Sequence, residues 1–517
     1  MRMLPVVLED GDDAASARVA AQGPVAADGP SQRRQLRWWP VAAVAAVALV
    51  GGQAALDQRE RAALGRLRDL PGVLLPLDES VRELWRTDDL SGMPGAGVGS
   101  DLALGVMRPD GSQAVRLVDG ATGDVRWEVP VTGAETTPPA EQERAWSGPS
   151  CAQATDGLLA CQVADQYEAV NDPATLLRSP EPGMPAPTRT RWVVIDVDAE
   201  RVVAEHPGPL HSPAAVTGDL FVVSTTTADQ AVVVEARDLR TGDVRWRQPL
   251  AEAPAEDEAV TGSPHARDAS AASTRLSALP DGRLLVHHQQ TDWVLSASGD
   301  VLHTIAQPQQ ESMLQHVRES TFVISPLDAV GTSSLIHPDG SRTRARGWPL
   351  TLSVDDGSAP GQCFLNNGGL LVVDCATGAP LWDAGSIQPG AGILLDGILY
   401  LTSGAWIVAV DTAQGRTLWT WERGDRGVYW ESIFTDGRDL YVVDWQADAG
   451  APTGDRDATG SFHVVALSTE DGSELWAAPL DVHARPSDVW ATVLAGRLLV
   501  REMSADGDSP IRLFGNR

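Results

Sequence analysis

Four cysteines carry the plainest chemistry in this 517-residue sequence, and they fall in two close pairs, Cys151/Cys161 and Cys363/Cys375. Each pair brackets a turn signal, Thr155-Asp156-Gly157 in the first and Asn366-Asn367-Gly368-Gly369 in the second. Folding each segment about its turn sets the two sulfurs roughly opposite one another on antiparallel strands. Cross-strand disulfides fit that geometry if the Cα atoms come within about 5.5 Å. Zinc is the rival chemistry, but there is no C-x-x-C spacing and no histidine placed among the four. Disulfides imply an oxidising compartment, so the bulk of the chain is expected outside the cytoplasm.

Other reactive groups are less well placed. His287 and His288 are adjacent on an apolar strand, and neighbouring strand residues point to opposite faces, so the two cannot chelate one ion together. The stretch from Asp444 to His463 gathers Asp448, Asp455 and Asp457 in a Gly-rich loop. Oxygen ligands at that density could hold Ca²⁺, yet the EF-type spacing is absent and a solvated insertion is the favoured reading. Asp355-Asp356 could act as paired carboxylates, but Gly357 follows and marks a turn. Trp421, Trp430 and Trp445 exceed what the docking motif needs and could form a ligand or partner hot spot, but packing under long loops is the favoured reading. No Walker, GxSxG or HExxH pattern occurs. No catalytic, cofactor-binding or metal-binding residue is assigned, no cofactor is expected, and an enzyme is not.

The elements that must position these groups show as a repeat. Five segments share one pattern, running from Asp119, Asp238, Asp374, Asp411 and Ser468. Glycine stands four residues on, at Gly123, Gly242, Gly378, Gly415 and Gly472, and tryptophan eight on, at Trp127, Trp246, Trp382, Trp419 and Trp476. An apolar strand leads into the motif in the second to fifth copies, for example Ile407 to Val410. Asp or Ser can accept hydrogen bonds from turn amides, glycine supplies the positive φ of a tight hairpin, and the Trp ring can dock between sheets with its N–H on a carbonyl. Tryptophan is used 17 times against 6 Phe and 4 Tyr, as a repeated structural task would require.

A softer signal, a polar-Gly turn leading into an apolar strand, recurs at Asp156-Gly157, Gly218-Asp219, Asp281-Gly282, Asp396-Gly397, Asp436-Gly437 and Gly496. Together the two signals make four short strands per unit. One unit cannot bury its own face, so copies must stack. Degenerate copies start at Val193, with Ala204 at the Trp position, at Val294, with His303 near it, and at Ser334. The expected fold is all-β, a β-propeller of about eight four-stranded blades over residues 96–517. The last strands, Leu498 to Val500 and Ile511 to Phe514, are expected to complete the first blade. Gly and Pro, 49 and 35 residues, suit many strands joined by turns.

An apolar strand followed by Asp-x-x-Thr-Gly-x-x-x-Trp, repeated around a ring, resembles the tryptophan-docking motif of quinoprotein-like propellers. The resemblance covers the chain from about residue 100 onward and implies the fold. That family includes pyrroloquinoline quinone dehydrogenases and non-catalytic propellers, such as an envelope lipoprotein that assists outer-membrane protein assembly. The dehydrogenases carry a disulfide between adjacent cysteines over the cofactor, and no Cys-Cys occurs here; C-x-x-C-H is also missing. The resemblance therefore implies the non-catalytic branch, an exported location and a protein-binding role.

Ahead of the repeats, residues 1–37 read as a disordered cytoplasmic tail. Trp38 to Leu56 carries no charge and is just long enough to cross a bilayer, with Trp38 and Trp39 at its edge and Arg33, Arg34 and Arg37 before it. It is expected to be a transmembrane anchor, with a cleaved signal segment as the alternative. Residues 57–95 read as a stalk, with short apolar-periodic pieces at Leu64, Leu67 and Leu70 and at Val73, Leu74 and Leu77. The net charge of −30 excludes nucleic acid as a partner by repulsion.

These readings describe a single-pass, membrane-anchored, extracytoplasmic propeller that binds an envelope protein, a peptide or another ligand. The long Ala-, Pro-, Glu- and Ser-rich stretches 132–150, 171–190 and 251–275 are the expected contact loops. The rival class is a small-molecule sensor or an oxidoreductase-like enzyme using the central funnel.

Overall fold

The computed structural model describes residues 65–516, apart from short breaks and the longer stretches 88–95, 134–147, 168–186, 252–273, 423–432, 449–457 and 503–509. The expected tail 1–37 and membrane segment 38–56 lie outside the described residues. No helix among the described residues is long and apolar enough to cross a membrane.

The described chain is all-β and forms propeller blades. Eight antiparallel sheets follow one another in sequence order: 97–130, 150–208, 214–250, 275–306, 312–346, 348–384, 392–422 and 433–484. Each is a four-stranded meander, and the seventh takes a fifth strand from outside its range. These are blades 1 to 8, and the eight repeats legible in the sequence map onto them one for one. In the blades other than the fifth, the second and third strands are the most deeply buried, as in Asp101–Met107, where every residue is buried. Strands covered on both faces need near-continuous apolar runs, which is what these segments supply.

The final strands do not complete blade 1. Val489–Leu494, Arg497–Glu502 and Ile511–Gly515 form a ninth sheet, and its outermost strand is Arg82–Thr87 from the other end of the chain. Part of the expected stalk therefore belongs to the ring. The segment before it is also held: Val73 bridges Thr435, Leu74 N–H donates to Thr435 O at 2.8 Å, and Leu75 N–H donates to Gly496 O at 2.6 Å. Leu74, Leu77 and Val81 are buried in the core between blades 8 and 9. Local pattern could not reveal this, because the partner of Arg82 is Gly515, more than four hundred residues away.

Apolar clusters fill the spaces between successive blades. Leu102 and Leu104 of blade 1 pack with Leu499 and Leu513 of blade 9, so the ring closes on itself. One strand leaves its own blade: Leu352–Asp355 runs from the inner edge of blade 6 to pair, in parallel, with the innermost strand of blade 7, Gly392–Leu395.

Candidate functional face: the two rims of the ring

The meander order separates two rims. Turns from first to second strand and from third to fourth strand lie on one, called here the turn rim. Turns from second to third strand and the passages between blades lie on the other, the loop rim.

The repeat motif builds the turn rim. Asp119 Oδ1 accepts from the amides of Ala121 and Thr122 at 2.8 and 3.0 Å, and Asp238, Asp374 and Asp411 repeat the arrangement. Ser468 does the same more weakly through its hydroxyl. The Arg126 guanidinium, with the turn amides, holds Asp119 down at about 2. At Asp238 the Thr241 amide and then Arg245 hold the carboxyl at about 2. These carboxylates are engaged in structure and are poor candidates for acid–base chemistry.

Each docking Trp reaches the next blade. Trp246 donates its indole N–H to Ala297 O at 3.0 Å, Trp382 to Thr412 O at 2.8 Å and Trp419 to Thr469 O at 3.1 Å. The acceptor is in each case the residue after the Asp or Ser that opens the next turn. The rings of Trp382 and Trp419 lie flat over Gly415 and Gly472, where a Cβ would meet ring carbon at 2.6 and 2.5 Å. Both glycines have positive φ, 65° and 72°, so the position excludes a side chain twice over. Trp127 is buried at the junction of blades 1 and 2. Trp476 packs against the core between blades 8 and 9, 6.0 Å from the Tyr441 ring.

Two docking residues escaped the sequence pattern. At the junction of blades 2 and 3 the residue at the Trp position is Ala204, but His206, two residues on and on the same strand face, does the work. Its Nε2 lies 2.8 Å from Leu239 O, the acceptor equivalent to those above, so that nitrogen carries the proton. Its ring covers Gly242. Searching the same face two residues further on would have found it. The other is Trp85, on the N-terminal strand, which lies over Gly123 and joins blade 9 to blade 1.

The remaining candidates are dispersed. Cys151 and Cys161 are register partners joined by a disulfide with Cα atoms 4.0 Å apart. Cys363 and Cys375 are also joined, diagonally, because Cys363 faces Val373. His287 Nδ1 sits 2.8 Å from Asp292, while His288 faces away and its Nδ1 is 2.9 Å from Thr274 Oγ1. Asp356 accepts the Asp396 amide at 2.7 Å and Asp355 the Gly357 amide at 2.9 Å, so this pair caps turns. Asp448 accepts from Thr459, whereas Asp455 and Asp457 lie outside the described residues. Trp445 is buried with its N–H 3.3 Å from Ala484 O, Trp421 packs at the junction of blades 7 and 8, and Trp430 lies outside the described residues.

The loop rim is different in kind. Stretches 134–147, 252–273 and 423–432 connect successive blades there. Stretches 168–186, 449–457 and 503–509 connect second to third strands at the same rim, and 88–95 reaches it from Arg82–Thr87. The described strand ends that these stretches join all lie at the loop rim. Their residues lie outside the described set. Trp406, which opens the third strand of blade 7 at this rim, is 47% exposed.

Among the described residues no donor set for a pyrroloquinoline quinone with Ca²⁺ is gathered. The disulfides join residues 10 and 12 apart instead of neighbours, and no group of three or more metal-ligating side chains gathers among the described residues.

No protein-family model and no curated protein sequence matches the chain. Among solved structures the chain is similar to BamB from Moraxella catarrhalis, at 13% identity over 85% of this chain and 100% of that one, with a TM-score of 0.39. It is also similar to a quinohemoprotein alcohol dehydrogenase from Comamonas testosteroni, at 12% identity over 87% and 79%, TM-score 0.42. A europium-containing methanol dehydrogenase matches at 12% identity over 74% and 91%, TM-score 0.37.

Proposed function

We propose that this protein is a non-catalytic binding scaffold, a propeller carried outside the cytoplasm on a membrane segment at 38–56, which holds a protein or peptide partner on its loop rim. One observation carries the reading: the two rims divide the labour. The turn rim uses its Asp, Gly and Trp residues to fasten blade to blade, while the strand ends joined by 88–95, 134–147, 168–186, 252–273, 423–432, 449–457 and 503–509 all lie on the opposite side, where loops on a rigid frame make contact surfaces; the connection 350–361, which carries Leu352–Asp355 to blade 7, is the exception on the turn rim. The two disulfides support an oxidising compartment.

The test is capture from detergent-solubilised envelope with the full chain as bait, read by mass spectrometry. One or two envelope proteins should be enriched, and lost when 134–147 or 252–273 is replaced by a short Gly-Ser link. Capture that survives removal of every long loop would refute the loop-rim assignment. A quinone or metal absorbance band in the purified protein would move the reading to the central funnel and to an enzyme.

A further inference from the structure

We propose that the disulfide Cys151–Cys161 is a thiol-exchange site, opened by a dithiol that attacks from the centre of the ring, and that Cys363–Cys375 is not one. Both pairs are joined, but their surroundings differ. Cys151 lies on Ser150–Gln153, the four-residue innermost strand of blade 2, which pairs along one edge with Leu158–Tyr167 and ends the sheet on the other. Every residue of that strand is exposed or part-exposed, Cys151 among them. Cys161 lies on the second strand, is fully buried, and packs with Val115, Leu159 and Val193 at the junction of blades 1 and 2. Cys363 and Cys375 are only 0% and 4% exposed, enclosed by Leu335, Leu365 and Val373. A nucleophile in solution therefore has one of the four cysteines within reach, Cys151.

The co-substrate is a dithiol. Its thiolate attacks the Cys151 sulfur, the S–S bond breaks, and Cys161 leaves as a thiolate that takes up a proton. The second thiol then attacks the mixed disulfide, closing the dithiol to a disulfide and releasing Cys151. Two electrons and two protons pass from the dithiol to the cysteine pair. A monothiol stops at the first step, and Cys161, in register with Cys151 and with its Cα atom 4.0 Å away, closes the bond again. Opening the pair unties the innermost strand, which then has only its ladder from Ser150 opposite Gln162 to Gln153 opposite Leu159. Pro149, just ahead of that strand, is seated on Gly105 of blade 1, so the release loosens the contact between blades 1 and 2 beside the centre of the ring.

The folded full chain, treated with dithiothreitol and alkylated at intervals, tests this by peptide mass spectrometry. Cys151 and Cys161 should be alkylated about tenfold or more ahead of Cys363 and Cys375, while tryptophan emission keeps its folded maximum. Hydrogen exchange should then rise in Ser150–Gln153 and stay unchanged in blades 6 and 7. Glutathione at the same thiol concentration should leave the pair closed. Cys161→Ser should leave a Cys151 thiol that reacts with dithionitrobenzoate in the folded chain, whereas the Cys161 thiol left by Cys151→Ser should not react. Both pairs opening at one rate, opening only as the fold is lost, opening by glutathione as fast as by dithiothreitol, or equal reactivity of the two single variants overturns the proposal.

Discussion

At the scale of single residues, the turn rim depends on contacts with no room for substitution. Gly415→Ala and Gly472→Ala put a methyl into the rings of Trp382 and Trp419 and force a non-glycine residue to positive φ. The backbone strain alone costs about 1–3 kcal/mol at each site, and urea midpoints should fall accordingly. Control substitution at Gly133, which has nothing within 4 Å of an added Cβ, should leave the midpoint nearly unchanged. The turn carboxylates make stability depend on acid. Asp119 and Asp238 are held at about 2 in the fold, below the ordinary carboxylate value, so the unfolded chain binds the proton more readily. Their contribution is present above about pH 4 and is lost as pH falls toward about 2. Asp238→Asn should therefore flatten the loss of stability between about pH 4 and pH 2, measured by denaturant titration at each pH.

At the scale of elements, closure of the ring rests on a strand remote in sequence. Arg82–Thr87 pairs with Ile511–Gly515, Trp85 covers Gly123, and Arg512 holds Glu83 at 2.8 Å and Glu502 at 2.6 Å. A chain starting at Leu64 should keep this closure, and one starting at Asp88 should lose it. Trp85 is half-buried, so losing it costs less than the roughly 3–5 kcal/mol of a fully buried Trp. The shorter chain should melt well below the longer one in calorimetry; equal melting temperatures would show that the outer strand is dispensable. This closure also explains the limits of sequence reading. The five regular motifs announced their blades because turn, glycine and Trp sit within nine residues of one another. The ninth sheet has no such local unit, because its parts are joined only by tertiary pairing. His206 was missed for a milder reason: a strand face tolerates a two-residue shift of the docking group, which a fixed spacing does not.

At the scale of the whole molecule, the ring presents one fastened rim and one rim where most long connections begin and end, and the disulfides make the redox state of the chain testable. Protein isolated from its source cells under alkylating conditions should show no free thiol before reduction and four after it, since both pairs are joined and no cysteine is left over. Recovery of free thiols without loss of fold would remove the argument for an oxidising compartment. The net charge of −30 acts at this scale too, favouring cationic surfaces on any partner and opposing nucleic acid.

From the sequence by itself came the blade: a hairpin unit whose Asp, Gly and Trp are near neighbours, repeated until stacking was the one way to bury its faces. The cysteine pairs were legible for the same reason, each being folded about its own turn. Only the tertiary structure decided which strand closes the ring, which residues substitute for a missing Trp, and that all the long connections but 350–361 join strand ends at one rim. Those depend on pairings across hundreds of residues and on the alternation of strand direction through every blade, neither of which any local stretch of sequence contains.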